Sequence, residues 1–378
     1  MDLKGVSVMK ILLCPDSFKD CLPANLVANY LEMGLRKVIP NAEIIKNPIS
    51  DGGEGFCELL TKSCNGKFHK ISAVDSLFRP IQSFYGVYGN ETAIMDVAAT
   101  IGLELLSKKE RNPLFTSSWG AGLVLKEIVK ENFKRIIIGL GGSSTTDGGI
   151  GLLSALGFRF LDKNGEQVQL NGSGLQSLSK IEDSDMIKEL TACEIITAID
   201  VNNPLYGKNG AAYVFSSQKG ASASEVQVLD ENVKNFNSVL FKKYGIDCQT
   251  IKGSGAAGGI GAGLAACLKA TLKSGTEIFI EESNILPLIK QCDLLITGEG
   301  EMNDQTLQGK APFALVKIAK KYKKKTYAVI GKAEGDFSSY FERIYEVMNY
   351  ADSQSESIKN ASDILQRIGE EIASQEFI

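Results

Sequence analysis

The sequence predicts an α/β protein whose sheet pattern changes inside the chain and then changes back. Apolar runs such as Ile11-Leu12-Leu13-Cys14 and Leu294-Leu295-Ile296 lack polar alternation, as expected of strands buried on both faces of a parallel sheet. Each run leads into a loop of glycine and polar residues, followed by a helical stretch. Between Lys67 and Val97, in contrast, apolar and polar residues alternate, which indicates antiparallel strands.

The first strand, Lys10–Cys14, ends in Pro15-Asp16-Ser17-Phe18-Lys19, and a helix is expected from about Pro23 to Val38. Open α/β sheets bind ligands just past the carboxyl ends of their strands, so Asp16, Ser17 and Lys19 are site candidates; Asp16 could also be a helix-entry cap. A second strand, Ala42–Lys46, closes in Pro48-Ile49-Ser50-Asp51-Gly52-Gly53-Glu54-Gly55, with a helix through Leu60. Glycine lets a ligand approach the backbone, and the Asp51 and Glu54 carboxylates suit Mg²⁺ or a sugar-like hydroxyl. The segments His69–Val74, Ile81–Tyr88 and Thr92–Val97, with a turn at Gly89-Asn90, read as an antiparallel meander, and a domain boundary is placed near residue 66.

A long helix opens in Thr116-Ser117-Ser118-Trp119-Gly120-Ala121-Gly122 and runs to about Asn132; its hydroxyls serve either as an N-cap or as a ligand contact. Next, Arg135–Ile138 reads as a strand that feeds Gly139-Leu140-Gly141-Gly142-Ser143-Ser144-Thr145-Thr146-Asp147-Gly148-Gly149-Ile150-Gly151, then a short helix stopping at Gly157. A glycine-rich turn between strand and helix directs backbone N–H groups at an anion. Ser143, Ser144 and Thr145 add donors there, and Asp147 a cation ligand. The strand Glu194–Ala198 ends at Asp200-Val201-Asn202-Asn203-Pro204-Leu205, which makes Asp200 and Asn203 candidates for substrate or metal; Lys219, among small residues, suits an anion. Gly253–Gly258 matches GxGxxG, but only Thr250-Ile251 precedes it, so the match is weak and a closely packed glycine- and alanine-rich helix is the alternative account.

The last third returns to parallel α/β character. Asp293–Thr297 is a buried strand running into Gly298-Glu299-Gly300, Gln305-Thr306 and Gly309-Lys310, with a helix to about Lys321. Strands at Thr326–Ile330 and Arg343–Val347 and a terminal helix from about Ser357 to Ala373 complete the chain.

Bulk properties narrow the function. A length of 378 residues suggests about two or three domains. A formal charge of −4 carries no footprint for nucleic acid; the basic run Lys320–Lys325 suits a helix end. No apolar run is long enough to span a bilayer, and Met1–Met9 lacks the apolar centre of a signal peptide, so residues 1–8 are expected to be an extension with no role in the fold. Eight cysteines without a CxxC pair indicate a reduced, cytoplasmic protein. The one histidine, His69, has no partners at zinc-ligand spacing. Acid–base chemistry therefore rests on Asp, Glu or Lys.

Taken together, Pro15–Lys19, Asp51–Gly55, the Gly139–Gly151 loop, Asp200–Leu205, Asn209–Ala212 with Gln218–Ala221, Gly255–Gly261 and Ile296–Gly300 with Gln305-Thr306 and Gly309-Lys310 resemble, in order, the motifs of the type I glycerate kinases. The resemblance covers nearly the whole chain from Met9. It implies a flavodoxin-like α/β domain built from residues 1–66 and 286–378, interrupted by a second α/β domain at 67–285, with the active site in the cleft between them. It also implies transfer of the ATP γ-phosphoryl group to glycerate, with ATP as co-substrate, Mg²⁺ as cofactor and 2-phosphoglycerate favoured as product. On this basis Asp16, Lys19, Asp51, Glu54 and Asp200 are expected to be catalytic, with Asp51 and Asp200 as metal ligands. Ser17, Gly52, Gly53, Ser143, Ser144, Thr145, Asp147, Asn203, Lys219, Glu299, Gln305, Thr306 and Lys310 are expected to bind substrate or phosphate, and Arg79 is a further cation available for the glycerate carboxylate. No GxxxxGK[ST] occurs, so a P-loop is not expected. The oligomeric state is left open.

The sequence departs from the family pattern at Glu301, Met302 and Asn303, where Arg, a hydrophobe and Asp are usual before Gln-Thr, and at Asn202, where Asp is common; Asp20, Trp119 and Leu123 also differ. Glu301 reverses a charge and Asn303 cannot act as a base, although Asp304 could compensate. The alternatives are a kinase of a related sugar acid or a paralogue that binds a metabolite without turnover. An NAD(P)-dependent oxidoreductase would rest on Gly253–Gly258 alone.

Overall fold

The computed structural model describes residues 9–377 apart from 20, 54, 304, 305, 307 and 308. In chain order the elements are β1 (Lys10–Pro15), α1 (Ala24–Val38), β2 (Glu43–Lys46), α2 (Phe56–Ser63), β3 (Lys67–Val74), β4 (Pro80–Tyr88), β5 (Thr92–Asp96), α3 (Ala98–Ile101), α4 (Trp119–Lys130), β6 (Arg135–Gly139) and α5 (Ile150–Ala155). There follow β7 (Arg159–Leu161), β8 (Lys180–Glu182), β9 (Glu194–Ile199), α6 (Ala211–Phe215), α7 (Ala223–Tyr244), α8 (Ala256–Leu268), β10 (Thr271–Ser274), α9 (Gly275–Glu282) and α10 (Ile285–Gln291). The chain closes with β11 (Leu294–Gly298), β12 (Glu301–Met302), α11 (Ala311–Lys321), β13 (Lys325–Ile330), β14 (Lys332–Ala333), β15 (Arg343–Glu346), α12 (Gln354–Lys359) and α13 (Ala361–Phe377).

Two compact units emerge, one from the described parts of 1–51 and 279–378, the other from 52–278. The sequence pattern switches near 66 and 286; α2 falls in the second unit because it packs on β4 and β5. No helix among the described residues is long and apolar enough to cross a membrane.

In the first unit, Ile11, Leu12 and Leu13 are wholly buried because β1 is the inner strand between two parallel neighbours, β2 and β11. The sheet order is β2-β1-β11-β13-β15 and every pairing is parallel. Counted within the unit this is 2-1-3-4-5, the doubly wound order of flavodoxin-like folds, whose switch point lies between the first and third strands. The α1 face Val27-Leu31-Leu35 and the α13 face Ile364-Ile368-Ile372 share one buried cluster with the sheet. The two helices cross very closely at Gly34, where a Cβ would stand 2.0 Å from the Gln366 carbonyl oxygen. The expected single terminal helix is two helices, because α12 ends at Asn360 before α13 begins.

The second unit holds a six-stranded mixed sheet, β10-β9-β6-β5-β4-β3. The β3–β4 and β4–β5 pairs are antiparallel and the β5–β6, β6–β9 and β9–β10 pairs parallel, so the alternation read from 67 to 97 is the antiparallel part of this sheet. Its core joins Met95, Ile136 and Ile138 to Leu125, Leu153, Phe236 and Ile260 from the covering helices.

Candidate active site

In the first unit the chain past β1 and past β11 is tied together at its start, because Asp16 N–H donates to the Gly298 carbonyl at 2.8 Å. The segment after β2 stays beside β1, with Asn47 N–H on Leu13 and Ile49 N–H on Pro15, and this register carries Asp51 toward the same end of the sheet. Asp16 and Glu299 thus stand immediately past the two strands that flank the switch point. Both are buried. Burial, the neighbouring Asp51 and Glu299 charges raise the Asp16 carboxyl well above its usual value, against the Ser17 N–H that it accepts at 2.6 Å and Lys310. Burial also raises Glu299, although Lys310 Nζ donates to its Oε2 at 3.2 Å and Thr306 Oγ1 to its Oε1 at 2.7 Å. The Thr306 hydroxyl is held from behind by the Asn303 N–H at 3.1 Å. Burial would lower the Lys310 ammonium, but Glu299, Asp51 and Asp16 hold it above its ordinary value.

Three carboxylates therefore act on one another here with a single ammonium between them. This excess of negative charge suits a divalent cation. Among the described residues no three His, Cys, Asp or Glu side chains form a ready metal cage, and Mg²⁺ does not need one, since it is commonly held by one or two carboxylates plus water and substrate phosphates. The donor set fits.

In the second unit β6 runs into the glycine- and hydroxyl-rich loop and then α5. Gly52 and Gly53 are packed backbone to backbone on this loop: a Cβ on Gly141 would lie 2.5 Å from Gly53 Cα. Asp147 faces inward and is wholly buried. Its Oδ2 accepts the Ser118 N–H at 2.8 Å and hydroxyl at 2.7 Å, and its Oδ1 accepts the Gly149 N–H at 3.0 Å. Burial raises this carboxyl and those bonds oppose the rise. Asp147 thus ties the loop to the start of α4, and the Ser118 hydroxyl serves this tie as well as accepting the Leu152 N–H at 2.8 Å. Ser144 is also turned inward, its Oγ 2.9 Å from the Ile101 carbonyl and 3.0 Å from Ser76 Oγ. Ser118, among the hydroxyls read as an N-cap or a ligand contact, stands at the N-cap position of α4, but its hydroxyl serves Asp147 instead; Ser76 is the part of this arrangement that the sequence reading did not single out, because its partner is remote in the chain.

Lys219 reaches the underside of the loop, where its Nζ donates to Ser143 Oγ at 3.1 Å and the Thr145 carbonyl at 2.6 Å. Ala257, Gly258 and Gly259 adopt left-handed backbone, and the Gly258 carbonyl accepts the Gly148 N–H at 3.0 Å. No strand precedes this GxGxxG segment; a 3-10 turn at Cys248–Thr250 does. The segment backs the loop, which accounts for the motif without a dinucleotide.

Gly300, next to Glu299, packs on the turn that holds Lys19: a Cβ there would lie 3.1 Å from the Lys19 backbone nitrogen. Asp200 is exposed past β9. Asn203 braces its own loop by donating to the Asn209 carbonyl at 2.8 Å. Lys19 is exposed in the turn after β1. Arg79 is committed to Asp75 and Glu110, each at 2.6 Å, so it is not the available cation that the sequence suggested. Glu301 is exposed and ion-paired to Lys332 at 3.2 Å, so its charge is met locally. Glu54, Gln305, Asp304 and Asp20, and the extension 1–8, lie outside the described residues.

Comparison with known proteins follows the same outline. The sequence model of the Glycerate kinase family matches residues 11–376. The chain is 36% identical over 371 residues to a protein named glycerate 2-kinase from Escherichia coli K12, covering 97% of each chain. It is equally similar, 36% over 371 residues and 97% of each chain, to a glycerate kinase from Bacillus subtilis 168. Among solved structures it is similar to a crystal structure from Salmonella typhimurium LT2, described as a candidate glycerate kinase 2, with a TM-score of 0.82 and 35% identity over 97% of this chain and 98% of that one.

Proposed function

Because the chain belongs to the glycerate kinase family, we propose that it transfers the γ-phosphoryl group of ATP to a hydroxyl of glycerate, with 2-phosphoglycerate favoured over 3-phosphoglycerate. The observation that carries this reading is the buried pair Asp16 and Glu299, with half-buried Asp51 and Lys310 acting on them, past the carboxyl ends of β1 and β11. Both this set and the hydroxyl-rich loop of the second unit are assigned to one reaction.

Phosphoryl transfer requires the acceptor hydroxyl to lose its proton as the new bond forms, and charge on the transferred oxygens to be neutralised. Asp16 is assigned the acceptor proton, because a carboxylate raised by burial and by like charge is a stronger base than an exposed one. Glu299 keeps Lys310 charged and oriented, and Lys310 is assigned an anionic oxygen. Lys19 is assigned the glycerate carboxylate. Magnesium, when bound, neutralises phosphate oxygens of ATP; Asp51, with Asp16 acting on it and with Asp200, is assigned to hold it. The backbone and Ser143 of the loop are assigned to phosphate, with Asp147 and Ser144 holding the loop's shape. Glu54 and Gln305 keep the roles that the resemblance gives them. A cytoplasmic location belongs to the same proposal, supported by the lack of any disulfide among the described cysteines.

The test is ³¹P NMR of the purified protein with Mg-ATP and D-glycerate. A phosphomonoester signal coupled to a single methine proton is expected; coupling to a methylene would assign the 3-hydroxyl. Unchanged ATP with glycerate but consumption with another small sugar acid would replace glycerate as the substrate. Unchanged ATP with all of them would leave a binding protein without turnover.

A further inference from the structure

Lys219 is the least conventional side chain in the second unit. It is only 3% exposed, although lysine is among the residue types least often buried. It sits in the turn after α6, where Lys219 N–H and Ala221 N–H both donate to Ser216 O, at 3.1 and 3.0 Å. The same turn reaches the loop a third way, through Ser216 Oγ at 3.1 Å from Thr146 Oγ1. Three bonds from one turn thus grip residues 143, 145 and 146 from beneath.

The direction of the bond to Ser143 has a chemical consequence. An ammonium has three hydrogens and no lone pair, so toward Lys219 the Ser143 oxygen can act only as acceptor. The Ser143 hydrogen must then point elsewhere. Ser143 is 5% exposed and its O–H finds no acceptor among the described residues. Nearby, Thr145 Oγ1 is wholly buried with no hydrogen-bond partner among the described residues. Buried hydroxyls seldom go unmatched, because each costs about 1–3 kcal/mol. The unspent Ser143 hydrogen beside a buried cation describes a place prepared for anionic oxygen.

We propose that Lys219 is a positioning residue: as the ammonium it occupies a Ser143 lone pair and so aims the Ser143 O–H at a phosphate oxygen of ATP, and as the free amine it accepts that hydrogen and turns the donor away. This rests on the assignment of the loop to phosphate made above. The switch falls in an accessible range. Burial lowers the Lys219 ammonium to about 7, and Asp147, the one charged side chain that acts on it among the described residues, opposes the fall. The groups that touch Lys219 directly, Ser143 and the Thr145 carbonyl, do not titrate. An anion bound on the loop favours the ammonium, so binding at alkaline pH must draw in a proton.

The experiment is isothermal titration calorimetry of Mg-ATP at pH 6 to 9, repeated in buffers of different ionisation enthalpy, on the wild-type protein, Lys219→Arg and Ser143→Ala. In the wild type the Kd is expected to rise above about pH 7 by about tenfold in all, with uptake of about half a proton per ATP between about pH 7 and 8. Lys219→Arg keeps its charge and should lose both the rise and the uptake. Ser143→Ala should bind about tenfold more weakly at pH 6, with a flattened pH profile, and it serves alone should the arginine not be accommodated. ATP's own ionisation is common to all three and cancels in the ratios. A wild-type Kd that is flat across the range, an unaltered rise in Ser143→Ala, or no binding of Mg-ATP at any pH would overturn the proposal. Binding is read without glycerate, so failure of the glycerate assignment leaves this result interpretable.

Discussion

At the scale of single residues, the acidic set around Asp16 is costly to the fold. A carboxyl whose folded value is raised gives stability that is fully present below its unfolded value and is lost as the pH climbs through the folded one. At neutral pH Asp16 is therefore a net burden, carried for its chemistry. Asp16→Asn should raise the melting temperature at pH 7 by about 2–4 °C and lower kcat by about a hundredfold or more. A thermal scan and a coupled assay on the same sample check both; full activity in the variant would remove Asp16 from the reaction. Asp16 and Glu299 could be picked out from the sequence because they follow apolar runs that can only be inner strands. The inward turn of Asp147 and Ser144 could not, since it depends on Ser118, Ile101 and Ser76, which meet them only in the folded unit.

At the scale of elements, α1 and α13 cross closely in the first unit. The Gly34 Cα–H side leaves no room for a methyl against the Gln366 carbonyl, and Gly369 faces it from the other helix with Gly34 Cα 3.1 Å from where its own Cβ would be. Gly34→Ala is expected to force the helices apart at a cost of about 1–3 kcal/mol, although alanine is the better helix former. Chemical denaturation would register it; a neutral or stabilising outcome would mean that the helices can shift freely. Periodicity made most elements legible, including the β3–β5 meander with its Gly89-Asn90 turn. It failed where a break carried no glycine or proline, as at Asn360 between α12 and α13. It also could not tell that the glycine run at 255–261 serves as a backing for another loop, because GxGxxG describes backbone freedom and not the neighbour that exploits it.

At the scale of the whole molecule, the two units differ in how their chains are drawn from the sequence. The second is continuous from 52 to 278, whereas the first needs segments from both sides of it. A chain ending at residue 278 should keep 52–278 resistant to limited proteolysis and surrender the segment before it, since β1 would lack β11 and α1 would lack α13. Rapid digestion throughout would show that the second unit requires the first. The change in sheet pattern that predicts an interruption is visible in the sequence; where contacts divide is not, because α2 reads like any helix after a strand and only its packing on β4 and β5 assigns it.

The pairing of β1 with β11 also sets a timetable on the ribosome. Lys10 is bonded through its N–H to Asp293, 283 positions later. At roughly 5–20 residues per second, the largely apolar first strand emerges tens of seconds before β11, one of its two sheet neighbours. During that interval the nascent chain carries an unsatisfied, adhesive segment behind a unit that can already close. An apolar strand with one edge unpaired is prone to aggregation, so the last third of the chain completes the sheet that its first strand begins.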